Sequence, residues 1–423
     1  MAVNVTDTVG ANNTIILDST SKIPAIDGSQ ITSLSGVAFT TGTIPVARLD
    51  IGTSAGKIVQ LDGSAKIPAL NGSNLTGLGP TKSTSDPTIS TNPSGGVGTK
   101  WVNKSSGEIY ICTDATAGAN VWRNVGAGTD DIKPWAYQGE IAGFASGGHN
   151  GSTAVQTYVF SSATTDAVAH GNLNSRSNMR FLVGVSSETH GYTMFGGGGS
   201  GVNYADKFAF ASNTPAASLG SNPLPWSEGD RGATGWTQTH GYFTHGEGTN
   251  HANIGKITYS NDNVADDGRD AFAGQHGATG HSSSTHCYIA GGAPDPQVNT
   301  IQRFAFASSA AGTDVGDMTV GKDSGCGSSS ATHGYSAGGA DYPTNYNRIE
   351  KFAFVSSGNG SDIADLTTAS RHLAGTSSTT HGYRHGGLSN VDIIERWSHI
   401  TDGNSVDVGN LVSGHDGMTG NHY

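Results

Sequence analysis

Residues 378–399 read STTHGYRHGGLSNVDIIERWSH. A His-Gly-Tyr step, a glycine pair, a variable stretch and an alternating aromatic segment follow one another. The same order recurs upstream. Thr-His-Gly-Tyr or a near copy stands at Thr189–Tyr192, Thr239–Tyr242, Thr285–Tyr288 (with Cys287 for Gly), Thr332–Tyr335 and Thr380–Tyr383. The intervals between His190, His240, His286, His333 and His381 are 50, 46, 47 and 48 residues by subtraction. Glycines follow each Tyr, at Gly196-Gly197, Gly246 and Gly248, Gly291-Gly292, Gly338-Gly339 and Gly386-Gly387. Then come Phe208-Ala-Phe210, Ile257-Thr-Tyr259, Phe304-Ala-Phe306, Phe352-Ala-Phe354 and Trp397-Ser-His399.

A sixth copy lies further upstream, in Gly143-Phe144-Ala-Ser-Gly147-Gly148 and Tyr158-Val-Phe160. The chain ends on Thr419-Gly-Asn-His422-Tyr423, a degenerate copy of the segment that opens each repeat. A period near 48 is that of a four-stranded unit repeated around an axis. In the last full copy the expected strands are 371–378, Tyr383–Gly387, Ile393–Trp397 and Val406–Val412. The first copy lacks an opening strand, and the surplus segment from about Ser413 to Thr419 is expected to supply it. The glycine after each His reads as a positive-φ turn position, and period-two aromatics read as packing between sheets.

Composition agrees. Glycine makes up 63 of 423 residues, roughly twice the usual share of about 7%, and charged residues are 13%. Gly, Ser, Thr and Asn replace the helix formers, which predicts an all-β chain. Proline is scarce and glycine is not periodic in threes, so collagen is excluded. The net charge of −12 argues against nucleic-acid binding, which needs dense Lys and Arg. No apolar run reaches membrane-helix length, so no membrane insertion is expected. The N-terminus carries no secretory signal pattern. Cys112, Cys287 and Cys326 are expected to be free thiols.

Strand order and period resemble the kelch pattern. That resemblance implies a six-bladed kelch-like β-propeller over residues 131–423. The N-terminal part is a different object. Residues 17–36 read LDSTSKIPAIDGSQITSLSG and residues 61–79 read LDGSAKIPALNGSNLTGLG, offset by 44, with Thr43–Leu49 as a partial copy between them. These copies hold too few apolar residues for a core of their own and suit strands buried against copies of the same chain. They resemble segments of bacteriophage tail-fibre and related virion appendage proteins, which implies an intertwined trimeric β fibre stem over residues 1–80. Residues 81–130 read as a linker and a small β module: a hairpin over Gly98–Cys112 with Ser-Ser-Gly at its turn, then a strand in Asn120–Val125. Its Gly-Thr-x-Trp and Gly-x-x-Tyr-x-Cys pattern is similar to a small module of phage tail fibres.

Candidate sites follow from these placements. The loops after the glycine pairs vary while the frame repeats, so they are the expected ligand contacts. They carry Tyr204, Asn250, His251, Asp295, Tyr342, Asn345, Tyr346 and Asn347. Two polar clusters, His245/Glu247/His251 and Asp262/Asp266/Asp267/Asp270 in a loop Asn261–Asp270, have ligand-like residue types but match no metal motif. They are read as solvated loops, and no metal or cofactor is expected. The five histidines are read as turn residues bonded to their own loops. No catalytic residue is assigned, because sequence cannot pair two carboxylates for glycoside hydrolysis.

The resemblance implies a virion protein made in the host cytoplasm. It would be a homotrimeric tail fibre that docks other tail or baseplate proteins through its N-terminus. Its propeller would bind a host surface glycan or protein without catalysis. A head fibre or decoration protein, and a propeller depolymerase or glycosidase, are the alternatives.

Overall fold

A computed structural model describes residues 79–126, 132, 134–174, 181–194, 204–221, 232–244, 252–293 and 296–423. The 44-residue repeat of the expected stem lies outside these residues. The chain divides into two compact units, one of residues 1–86 and 98–109 and the other of residues 87–97 and 110–423.

In the first unit Thr81–Ser83 pairs in parallel with Lys100–Asn103. The turn that follows falls where the sequence places it. The Gly107 amide donates to Asn103 O, Gly107 has φ +80, and Asn103 Oδ1 accepts from the Ser105 amide at 2.8 Å. In the second unit Ile109–Asp114 pairs with Val121–Asn124, covering the buried Tyr110, Cys112 and Trp122.

Among the described residues the rest of the second unit is all-β, with a single 3-10 turn at His149–Gly151. It contains six four-stranded antiparallel sheets. Sheet 1 runs Thr419–His422, Ala142–Ser146, Ala154–Val159, Val168–Asn172, and sheet 2 runs Val183–Ser186, His190–Met194, Tyr204–Ala209, Ala217–Ser221. Sheet 3 is Thr234–Trp236, His240–Thr244, Asn253–Thr258, Asn263–Asp270, and sheet 4 is Thr279–Ser282, His286–Ala290, Thr300–Ala305, Thr313–Asp317. Sheet 5 is Cys326–Ser329, His333–Ala337, Arg348–Ala353, Ser361–Asp365, and sheet 6 is Ala374–Ser377, His381–His385, Ile393–Ser398, Val406–Asn410.

Three details differ from the sequence expectations. The C-terminal strand of sheet 1 is Thr419–His422, paired with Gly143–Ser146; the preceding residues 413–418 form the connector. In sheet 6 the first strand begins only at Ala374, the second is shifted to His381–His385 and the fourth ends at Asn410, because Arg371–Leu373 belong to a connector and Gly386-Gly387 turn out of the sheet at φ +64 and +128. The glycine after each His is not a positive-φ position. Gly191, Gly334 and Gly382 lie within strands, where a Cβ would meet the ring of Phe208, Phe352 or Trp397 at 2.3–2.4 Å. They are glycine to seat an aromatic ring from the adjoining strand.

Successive sheets touch through their first strands. The contacts run from sheet 2 to 3, 4, 5, 6, 1 and back to 2. These are edge strands, and their main chains approach very closely. A Cβ on Gly327 would sit 2.2 Å from Gly280 O, one on Gly375 2.4 Å from Gly327 O, and one on Gly420 2.1 Å from Gly375 O. Only glycine permits that approach. A few residues along, side chains bridge the same strands. The Trp236 amide donates to Ser282 Oγ (3.1 Å), Ser282 to Ser329 Oγ (3.1 Å), Ser329 to Ser377 Oγ (2.9 Å), Ser377 to His422 Nδ1 (3.3 Å) and His422 to Ser186 Oγ (3.1 Å).

Further out, aromatic rings join the same neighbours. The second-strand ring of each sheet lies against the ring just past the third strand of the next: Phe144 on Phe210, Tyr192 on Tyr259, Tyr242 on Phe306, Tyr288 on Phe354, Tyr335 on His399 and Tyr383 on Phe160. Centroid distances are 4.6–5.2 Å. Each such pair contributes about 0.5–1.5 kcal/mol beyond area burial, and in sheets 2 to 6 its second-strand member is the tyrosine of the His-Gly-Tyr or His-Cys-Tyr step.

Replacing Gly327 by Ala should lower unfolding free energy by about 1–3 kcal/mol, the usual cost of overpacking. Gly358→Ala should change it little, since nothing lies within 4 Å of a Cβ there. Denaturant melts of the two variants check this. Equal stabilities would contradict the close strand approach.

Candidate binding face

In each sheet the turns between strands one and two, and between three and four, emerge at one end. The connections from two to three, and from four to the next sheet, emerge at the other. At the first end the chain packs against its own first strands. Residues Trp135–Gly139 cross beneath the first strands. Tyr137 packs on Trp236 (4.2 Å) and its carbonyl lies 2.6 Å from His422 Nε2, Gln138 donates to Ser329 O (3.0 Å), and the Gly139 amide donates to Ser377 O (2.9 Å). A cavity of about 90 Å³ lies between the first strands, with Tyr137 and Trp236 in its wall.

The Thr-His-Gly-Tyr histidines sit on this turn end. His190, His240, His286, His333 and His381 each begin a second strand, with Nδ1 2.8 Å from the preceding Thr Oγ1. Each donates its amide to the Ser or Thr hydroxyl three residues earlier, at 2.9–3.0 Å. Burial first, then nearby Lys or Arg charge, lowers their pKa. They are neutral turn residues, as the spacing suggests.

Among the described residues, the opposite end is a set of pinned loops. The glycine pairs leave the sheets at positive φ: 69 and 125 at Gly147-Gly148, 69 and 110 at Gly291-Gly292, 63 and 96 at Gly338-Gly339. Gly292 donates its amide to Lys322 O (2.8 Å), Gly339 to Ser370 O (2.9 Å) and Gly387 to His415 O (3.1 Å), each acceptor lying in the connector that leaves the same sheet. The connectors are joined too. Phe181, Gly277, Ser324, His372 and Gly417 take the left-handed conformation, φ 56 to 68, at equivalent places two residues before a first strand. Phe181 donates to Gly417 O, Gly417 to His372 O and Ser324 to Gly277 O. Left-handed backbone is unfavourable for a bulky residue such as Phe181. Here Asp416 stands 3.2 Å from His149 and 3.6 Å from His372, whose ring meets Phe181 edge-on at 4.8 Å.

A third ring of ties went unread in the sequence. In five of the six sheets a buried polar group stands two residues before the third-strand aromatic and binds a connector or an internal cation. Gln156 donates to Ser413 O (2.9 Å), Asp206 accepts from Asn174 (2.9 Å), Gln302 donates to Gln275 (2.8 Å), Glu350 pairs with Lys322 (2.8 Å) and Glu395 with Arg384 (3.4 Å). Glu350 also accepts from Thr319, and Glu395 from Thr367 and Ser405. Burial alone would raise Glu350, but Lys322 and the bonds from Lys322 and Thr319 outweigh it and hold it below the ordinary carboxylate range. The available signal was positional: a polar residue at one register in five of six repeats, with Gly255 in the sixth.

Of the expected ligand residues, Asn250, His251 and Asp295 lie outside the described residues, as do His245 and Glu247. Tyr204 starts the third strand of sheet 2, half-buried opposite Ser221. The other four share one connection of sheet 5. Tyr342 and Asn345 belong to a short hairpin, Ala340–Asp341 with Thr344–Asn345, whereas the Tyr346 amide donates to Gly339 O and Asn347 O accepts from the Leu366 amide. The acidic stretch is not a loop: Asn263–Asp270 is a strand. Asp262 pairs with Lys207 and Asp267 with Lys256, at 2.9 and 2.8 Å, and Asp267 also with Arg269. Among the described residues no group of three or more His, Cys, Asp or Glu is placed to hold a metal. The three cysteines are buried free thiols, with burial pushing Cys326 up to about 12. No helix among the described residues is long and apolar enough to cross a membrane.

No protein-family model matches the chain. No curated protein matches it either. Among solved structures, one titled "Structure of YjhT" aligns at 12% identity and a TM-score of 0.47, covering 57% of this chain and 87% of that one.

Four histidines are held neutral by burial, His281, His385 and His422 at about 4 and His399 at about 3. In the unfolded chain they titrate near about 6.5. Below that pH the unfolded chain takes up protons that the folded one does not. Stability should therefore be full above pH 7 and fall as pH drops from 6.5 toward 4. Thermal melts across that window check it, and a flat profile to pH 4.5 would contradict the buried neutral rings.

Proposed function

We propose that the six sheets form a six-bladed, kelch-like β-propeller carried on a trimeric β-fibre stem. The chain is then a non-catalytic receptor-binding fibre of a phage virion. Six four-stranded sheets, first-strand contacts that return to their start, and the chain's last strand paired into sheet 1 support the propeller. The stem and virion parts rest on the tandem LDSTSKIPAIDGS and LDGSAKIPALNGS copies, which have strand and turn signals but too little apolar surface for a core within one chain.

The observation that carries the binding role is how the buried polar groups are used. Asp206, Glu350 and Glu395 lie in different sheets, and each is bound to a connector or an internal cation. They hold the frame. Variable side chains stand instead on loops pinned at both ends, which is how recognition surfaces are built on rigid scaffolds. Three such surfaces on one stem would act together, so weak single contacts suffice.

Light scattering of the full-length protein should give three times the mass of one 43.1 kDa chain, and the purified protein should block adsorption of the particle that carries it. A monomer would refute the stem, and release of reducing sugar from host polysaccharide would refute the non-catalytic role.

A further inference from the structure

We propose that Tyr342, backed by Arg371, is a stacking platform for a pyranose ring of a surface glycan. This rests on the recognition role proposed above and names both its ligand class and its central contact. Tyr342 stands at the tip of the Ala340–Asn345 hairpin, with Ala340 opposite Asn345 and Asp341 opposite Thr344. Its residue surface is 74% exposed, although most tyrosines of the repeat are buried. The hairpin base is fixed on both sides. Asp323 and Ala340 exchange two main-chain bonds of 2.9 Å, and the Ser370 amide donates to Tyr346 O.

Arg371, from the connector leading to sheet 6, places its guanidinium carbon 5.4 Å from the Tyr342 ring centre. Such a contact holds an exposed ring in one orientation. With so much of the residue in solvent, the ring still offers apolar surface. A flat apolar face beside a guanidinium, the Asp341 carboxylate and an amide matches the C–H face and hydroxyl edge of a sugar. A peptide would need an open strand edge or an apolar groove. Nucleic acid is disfavoured by the net charge of −12. At the opposite end of the sheets Trp135–Gly139 lie against the first strands.

The test uses full-length protein to block particle adsorption to susceptible cells, with Tyr342→Ala compared against Val355→Asp. Val355 is 92% exposed on the turn end. Melting curves confirm that both variants fold. Tyr342→Ala should need at least tenfold more protein for the same block, whereas Val355→Asp should match the wild type. Binding should vanish on periodate-oxidised cells and persist on protease-treated ones. If Tyr342→Ala blocks like the wild type, or binding survives periodate and is lost to protease, the glycan platform is overturned while the recognition role stands. A wild-type protein that binds no susceptible cells overturns both.

Discussion

The close approach of the first strands of successive sheets is the constraint on which the other features of the second unit depend. Gly280, Gly327, Gly375 and Gly420 bring main chains within reach where a single Cβ would collide with a carbonyl. That approach lets a serine hydroxyl of one first strand take the amide of its neighbour. An edge strand normally leaves a row of main-chain groups open to other chains. Here each first strand faces the first strand of its neighbour, and hydroxyls take up part of that row. Gly191, Gly334 and Gly382 do a second job, each seating an aromatic ring in the sheet.

Other ties repeat in register from sheet to sheet. Serines bridge the first strands, second-strand aromatics pack on rings past the third strands, and buried polar residues of the third strands hold the connectors. The serine and aromatic ties join adjacent sheets. The polar ties fix the loops at one end, so that loop becomes a place for side chains rather than a hinge. The same economy explains why buried charge is present without pointing to chemistry. Lys322 with Glu350 and Arg384 with Glu395 each lie wholly inside, bound to neighbouring hydroxyls. A buried pair of this kind is weak evidence for stability but ties its partners to one geometry.

Much of this was legible in the sequence. The Thr-His-Gly-Tyr step, the glycine pairs and the Phe-Ala-Phe strands each sit where period and alternation place them, because local residue chemistry determines them. What was missed depends on contacts distant in sequence. Trp135 and Tyr137 carry no repeat signal, and their packing under the first strands follows from where the chain happens to enter. The purpose of the His-Gly glycine was misread because its neighbour is a ring more than a dozen residues away. The loop reading of Asn261–Asp270 failed because Lys207, Lys256 and Arg269 neutralise a strand that looks too acidic to form one. Of the ligand candidates, four converge on one connection of sheet 5, which sequence spacing foreshadowed, but Arg371 comes from a different repeat and gave no sign of its role.

In the proposed propeller the sheets hold each other in a cycle joined by the chain's own last strand. Hydrogen exchange on a chain lacking Thr419–Tyr423 tests it most directly. The account predicts that protection falls in sheets 6 and 2 as well as in sheet 1, since Gly375 and Gly184 both lose their neighbour at Gly420. Loss confined to Ala142–Asn172, with sheets 6 and 2 as protected as before, would contradict it.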